Sequence, residues 1–147
     1  MKNQYQLPAA PILSKAFLEK GIDGVVLWDV IEVKKKNKIQ IKFQSENSEW
    51  DQGVLLMSNL GFDINDELLT NPIEIWFNDK NVFELTCYSD NGLLHVYNIW
   101  NRGKGRESQS WTSGMIISQI GNIRLYQCND IGYGEKFDKM IFSITIL

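Results

Sequence analysis

The chain has 147 residues, of which 44% are apolar and 22% are charged, and its formal net charge is −3. This length suffices for one domain with its own core, expected here over residues 1–147, and the composition excludes a disordered chain. The charge is too small to indicate a nucleic-acid binder, and no apolar run is long enough to span a membrane.

The start of the chain and the cysteines indicate a compartment. Residues 1–6 are polar and lack the apolar stretch of a signal peptide, so we expect a cytoplasmic protein. Cys87 and Cys128 each lie within a predicted strand and could pair only if those strands were neighbours. Because a reducing compartment disfavours disulfides, we expect two buried free thiols.

One short helix is predicted near the start of the chain, at about residues 11–20. Pro11 suits the first position of a helix, and Gly21 suits the position just after its end. Between them, apolar side chains recur at helical spacing at Ile12, Leu13, Ala16 and Phe17.

The rest of the chain is predicted to form strands. Residues 38–44 alternate between polar and apolar side chains, which is typical of a strand with one solvated face, and Asn91-Gly92 favours a hairpin turn. Nine short strands joined by short turns predict a mainly β protein, specifically an antiparallel β-sandwich with one short N-terminal helix. A partly open barrel is the alternative. The other eight strands are expected at about residues 24–33, 50–57, 72–78, 81–88, 92–100, 111–119, 122–128 and 139–147.

The sequence lacks the motifs of common catalytic and metal sites. His95 is the one histidine, and three Cys and His side chains cannot supply the four ligands of a structural zinc site. There is no nucleophile elbow, P-loop or dinucleotide-binding fingerprint. We therefore expect a protein that is not an enzyme and that uses no metal or cofactor.

A basic loop flanked by two tryptophans is the first candidate binding surface. Residues 101–125 carry a net charge of +3, so the remainder of the chain carries −6. Gly103 and Gly105 let the backbone bend, while arginine and tryptophan side chains suit an anionic nucleotide or sugar. The alternative is a solvated loop with both tryptophans in the core. The candidate ligand-binding residues are Trp100, Arg102, Lys104, Arg106, Trp111 and Arg124.

Strand parity predicts a second candidate surface. Trp76 shares one face of its strand with polar side chains, and Tyr88 does the same in the following strand. If both polar faces lie on the same side of the sheet, Trp76 and Tyr88 form an exposed aromatic surface suited to protein or carbohydrate contact. In the alternative arrangement, the N-terminal helix covers this surface with Leu13 and Phe17.

The first 60 residues carry a resemblance to a known family. Residues 22–30 form an apolar strand that contains Trp28-Asp29, and two further strands are expected around Trp50-Asp51. This pattern resembles the small all-β bacterial immunity proteins, which neutralise a cognate toxin by covering it. The resemblance implies a toxin domain as partner, and the acidic surface of this chain would complement a basic nuclease. It assigns no functional residues.

Three functions follow from these features. We favour a non-enzymatic binding protein of the inhibitory or immunity type, which acts by covering a protein partner. The first alternative is a small-ligand binder, or a sponge for an anionic nucleotide or sugar, that uses the loop at residues 101–110. The second alternative is a carbohydrate-recognition module. An oligomer is compatible with all three functions, whereas a membrane partner is not expected.

The small-ligand hypothesis makes a specific prediction about the basic loop. Replacing both Arg102 and Arg106 with Ala should abolish binding of an anionic nucleotide, because the guanidinium groups would hold the phosphate. Titration calorimetry with mononucleotides would measure the binding, and circular dichroism would show that the fold is retained. Unchanged affinity in the double variant would contradict the hypothesis.

Overall fold

The computed structural model describes residues 7–70, 72–78, 80–132, 134 and 136–147. Strands contain 56% of these residues and helix contains 4%, which confirms the prediction of a mainly β protein. Residues 1–6, on which the prediction about a signal peptide rests, lie outside the described part. Among the described residues, no helix is both long and apolar enough to cross a membrane.

The described residues form one helix and thirteen strands. The helix α1 (Lys15–Glu19) follows the first strand. The strands are β1 (Ile12–Leu13), β2 (Val26–Glu32), β3 (Lys36–Glu46), β4 (Asp51–Met57), β5 (Phe62–Ile64), β6 (Glu67–Leu69), β7 (Ile73–Trp76), β8 (Val82–Tyr88), β9 (Leu93–Asn101), β10 (Arg106–Ser108), β11 (Gly114–Ile120), β12 (Ile123–Asn129) and β13 (Met140–Ile146).

The helix is shorter than predicted because the chain around it is used differently. Ile12 and Leu13 pair with β2 as the short strand β1, so the helix begins only after them. Ser14 caps its start, because its hydroxyl accepts a hydrogen bond from the Phe17 amide at 3.4 Å. Gly21 follows the end of the helix with a φ of 83°, the left-handed conformation that favours glycine, as predicted.

All thirteen strands belong to one antiparallel sheet that nearly closes into a barrel. Its order is β6-β5-β8-β3-β13-β12-β11-β2-β9-β4-β7, with β1 beside β2 and β10 beside β9. Each of the nine predicted strands coincides with an observed strand, but the count of nine and the sandwich are not confirmed. The short strands β1, β5, β6 and β10 are additional, and they have at most three residues each.

A change of partners along β2 joins the two halves of the sheet. Val26, at the start of β2, pairs with Met115 of β11, whereas residues 29–32 pair with β9. One strand therefore connects what would otherwise be two separate sheets. On the other side of the barrel, the end strand β7 faces β5 and β8 across a cavity of about 320 Å³.

The interior of the barrel is apolar and follows the predicted alternation. Ile39, Ile41 and Phe43 of β3 are buried, while the intervening side chains lie on the other face. The rings of Tyr126 and Phe142 stack in parallel, with centroids 4.5 Å apart. Cys87 and Cys128 are free and buried, as predicted, and burial raises the pKa of both thiols.

A buried charge links the two halves of the barrel. Asp29 of β2 is 0% exposed and accepts hydrogen bonds of 2.8 and 2.9 Å from the guanidinium of Arg124 on β12. The hydroxyl of Tyr126 also donates to the same carboxylate. Three donors therefore compensate for the lost hydration of the carboxylate, and hydrogen bonding to Asp29 raises the pKa of Arg124.

We expect Asp29→Asn to lower the free energy of unfolding by about 3 kcal/mol, because it breaks a buried ion pair. Tyr126→Phe removes one hydrogen bond to a charged group and should cost about 2 kcal/mol. Urea unfolding at neutral pH measures both changes. Glu107→Gln, in an exposed ion pair with Arg102, is the matched control and should leave stability nearly unchanged. An equal loss in Asp29→Asn and in the control would contradict this account.

Candidate functional site

The basic loop is the turn between β9 and β10, and most of its charge is paired. Arg102 donates two hydrogen bonds of 2.7 Å to Glu107, which raise the pKa of Arg102 and lower the pKa of Glu107. Arg106 donates to Glu74 of β7 at 2.9 Å. Lys104 is exposed and forms no ion pair with any described residue. An anion binding here would compete with two carboxylates.

The other three predicted ligand-binding residues differ from these cations in burial and in contacts. Trp100 is 1% exposed and lies opposite Gln52 of β4, so its ring is not available for stacking on a ligand in this structure. Trp111 is 58% exposed and borders an apolar groove of about 180 Å³ beside β1. Arg124 is held on β12 by Asp29. Trp100 therefore lies on the face of β9 opposite to Arg106, although it directly precedes the loop, and Arg124 is engaged by Asp29.

A surface that the sequence did not predict as a unit lies on the outer side of β4, β7 and β9. The register places Leu55 of β4 between Glu74 and Tyr97, and it places Gly53 beside Trp76. The opposite faces of these strands point into the barrel core. We name this surface the outer aromatic face and define it by Trp28, Glu74, Trp76, His95, Tyr97 and Arg106.

The ion pair between Arg106 and Glu74 crosses the outer aromatic face. Arg106 lies on β10 and Glu74 on β7, with β9 and β4 between them in the sheet. Leu55 and Ile99 lie on these two central strands and are 0% exposed, although their side chains point outward. The indole N–H of Trp76 donates to Glu74 at 3.1 Å. The two charged side chains and their neighbours therefore shield apolar residues of the sheet from water.

Three aromatic side chains form the other half of the outer aromatic face. The rings of Trp28 and Tyr97 have centroids 4.9 Å apart, and the Trp28 indole donates to Nδ1 of His95 at 2.9 Å. His95 accepts this bond as a neutral imidazole, and burial lowers its pKa. Burial raises the pKa of Tyr97, whereas Arg106 and a hydrogen bond with Ser108 act against that shift. The cluster is therefore held by directional contacts.

Gly53 is required for the position of Trp76. A Cβ atom at Gly53 would lie 2.8 Å from the Trp76 ring and 2.8 Å from the Ile75 carbonyl oxygen. The indole therefore rests on the backbone of β4, where any side chain would displace it. A half-buried tryptophan fixed in this way keeps its remaining surface in one orientation.

The predicted second surface is only partly assembled. Trp76 belongs to the outer aromatic face, but Tyr88 lies at the far end of β8, roughly 20 Å along the strand from the turn that follows β7. The N-terminal helix does not cover Trp76. Its Phe17 packs instead against Val25 and Phe137.

Sequence reasoning missed the contributions of Trp28, His95 and Tyr97 to this surface. Alternation along β9 places His95 and Tyr97 on one face, and this signal is visible in the sequence. The pairing of Trp28 with that face depends on the partners of β2, which no local pattern indicates.

Comparison with protein-family models, with curated proteins and with solved structures finds no match to this chain. Within the described part of the chain, no group of three or more His, Cys, Asp or Glu side chains is arranged to hold a metal ion. The geometry of the side chains is therefore the basis for any functional proposal.

The lowered pKa of His95 predicts a pH-dependent stability. The unfolded chain binds the proton more readily than the folded protein. The contribution of neutral His95 to the free energy of unfolding is therefore fully present above about pH 6.5 and decreases as the pH falls below this value. In His95→Phe this pH dependence of the free energy of unfolding should disappear. Urea unfolding between pH 7.5 and 5.5 would compare the slopes of the two proteins. Parallel slopes would show that His95 is not the titrating group.

Proposed function

We propose that this protein is a non-enzymatic binding protein of the inhibitory or immunity type, which acts by covering a protein partner. The observation that carries the proposal is the outer aromatic face, in which Trp76 and Trp28 remain partly exposed on a rigid sheet. Tryptophan, tyrosine and arginine are the side chains that contribute most to the binding energy of protein interfaces.

The arrangement of charge supports a protein partner over a small anionic ligand. Arg102 uses its guanidinium fork for Glu107, in the geometry that it would need for a phosphate. Arg106 is bound to Glu74 beside Trp76. A protein surface can add hydrogen bonds around such pairs without breaking them, whereas a bound phosphate would have to displace a carboxylate.

The charge of the whole chain suggests the kind of partner. Outside residues 101–125, the chain carries a net charge of −6, which would attract a basic protein and orient it during association. A basic toxin nuclease has this character, in agreement with the resemblance to immunity proteins. Inhibition by covering needs no catalytic group on the inhibitor.

The proposal can be tested with Trp76→Ala. Native mass spectrometry of protein purified gently from its host should detect a polypeptide in stoichiometric amount, and the substitution should weaken that complex by roughly 30-fold, as expected for a hot spot of about 2 kcal/mol. Trp111→Ala is the matched control, because Trp111 is exposed but lies outside the outer aromatic face.

The same experiment separates the alternatives. A released nucleotide or sugar would favour the small-ligand function and return attention to Arg102, Lys104 and Arg106. A bare monomer would contradict a stable protein complex. A complex weakened by Trp111→Ala but not by Trp76→Ala would retain the function and reject the outer aromatic face as its site.

A further inference from the structure

Over its described residues, the sheet is open between β7 and β8, and the backbone on the β7 side has no hydrogen-bond partner across this opening. The Phe77 amide donates to the Gln52 carbonyl at 2.8 Å, which identifies these two residues as a hydrogen-bonded pair. In an antiparallel ladder such pairs alternate, so Ile75 also directs its backbone groups to β4. The backbone groups of Glu74 and Trp76 therefore point away from β4, into the opening.

The β8 side of the opening is unpaired in the same way. The Phe43 amide donates to the Asn81 carbonyl at 2.8 Å, so Phe83 directs its backbone groups to β3. The backbone groups of Val82 and Glu84 then face the opening. Beyond them β5 covers the strand, pairing with Thr86 and Cys87.

We name this opening the seam and define its edges as residues 73–76 and 82–85. No backbone hydrogen bond between described residues joins β7 to β8 across it. Unpaired strand edges of this kind are normally covered or paired, because they are templates for another strand. The seam presents two such edges to one space of about 320 Å³.

The side chains around the seam define what could fill it. Ile64, Ile75 and Leu85 border its inner part and continue the apolar core. Glu84 borders its outer part and bonds only weakly to Gln40, at 3.3 Å. An adjacent cavity of about 290 Å³ adds the carboxylates of Asp63 and Asp66 to this rim. The described basic side chains beside the two cavities are Lys38 and Lys80, and the Lys80 ammonium lies over the Phe83 ring at 5.1 Å.

We propose that the seam binds an extended segment of a partner protein, which enters as an additional strand between β7 and β8. Alternate side chains of that segment are apolar and point inward, and the others are basic and lie beside Glu84. The backbone of the segment pairs with the free groups of Glu74, Trp76, Val82 and Glu84. This proposal rests on the proposed function only in that the partner is a protein.

Two observations favour a partner segment over a second copy of this chain. Two copies that paired through the same edge would bring identical carboxylates together, which destabilises a strand pair. In addition, Glu74 and Trp76 belong both to the seam and to the outer aromatic face. A partner that lies on that face can therefore extend a segment directly into the seam.

Proline at Val82 tests the backbone pairing. Its N–H faces the seam and is not used by β3, so Val82→Pro removes one donor for an incoming strand and no ladder bond of the fold. Val82→Ala is the matched control, because it shortens the same side chain and keeps the N–H. The probe is a capped ten-residue peptide of alternating valine and lysine, with a fluorescent label.

Fluorescence anisotropy should show peptide binding to the unmodified protein. We expect Val82→Pro to weaken binding at least tenfold and Val82→Ala to change it less than twofold. Hydrogen exchange measured by NMR should show new protection at the amides of Glu74, Trp76 and Glu84. Equal binding by the two variants, or no protection at saturating peptide, would overturn the proposal.

Two further measurements keep the test decisive. If Val82→Pro does not fold, the unmodified protein is tested instead with a second peptide that has the same sequence and N-methyl groups at alternate residues. Equal binding of the two peptides would overturn the proposal. A dimer of the protein alone, detected by sedimentation, would also overturn the proposal if its seam amides were protected from hydrogen exchange. A partner complex from the host in which these amides stay unprotected would reject the seam and leave the proposed function intact.

Discussion

The change of neighbours along β2 is the constraint on which the rest of the structure depends. Its first residue, Val26, pairs with β11 and residues 29–32 pair with β9, so a single strand joins two sheets into one. The carboxylate of Asp29 fixes this geometry, because a buried charge must keep its partners and these lie on β12. The barrel is therefore stabilised on one side by the polar cluster around Asp29, and on the other side it is open between β7 and β8.

This asymmetry positions the candidate site. On the side of the Asp29 cluster the core is continuous, and the ring of Tyr126 stacks on that of Phe142. On the other side β7 carries Trp76 and Glu74 at the margin of the sheet, next to strand edges that have no backbone partner among the described residues. The outer aromatic face and the seam thus both result from the same incomplete closure, and both are the surfaces that we propose bind a protein.

Much of the fold could be predicted from the sequence, because alternation and turn chemistry are local. Residues 38–44 show this directly. The hairpin expected at Asn91-Gly92 was wrong, because this turn joins β8 to β9 and these two strands are not neighbours in the sheet. The short strands β5 and β6 were not predicted, because three residues are too few to show an alternation of polar and apolar side chains. The site was predicted less well, since its contacts are distant. Arg106 and Glu74 are 32 positions apart, and the burial of Trp100 follows from its tertiary position.

The bridge between Arg106 and Glu74 also has an evolutionary consequence. A change of charge at either position alone would break the bridge that lies over Leu55 and Ile99, which are 0% exposed. Exchange of the two charges would preserve the bridge. Selection should therefore act on the two positions as one unit, so that related sequences would show them covarying although they lie in different strands.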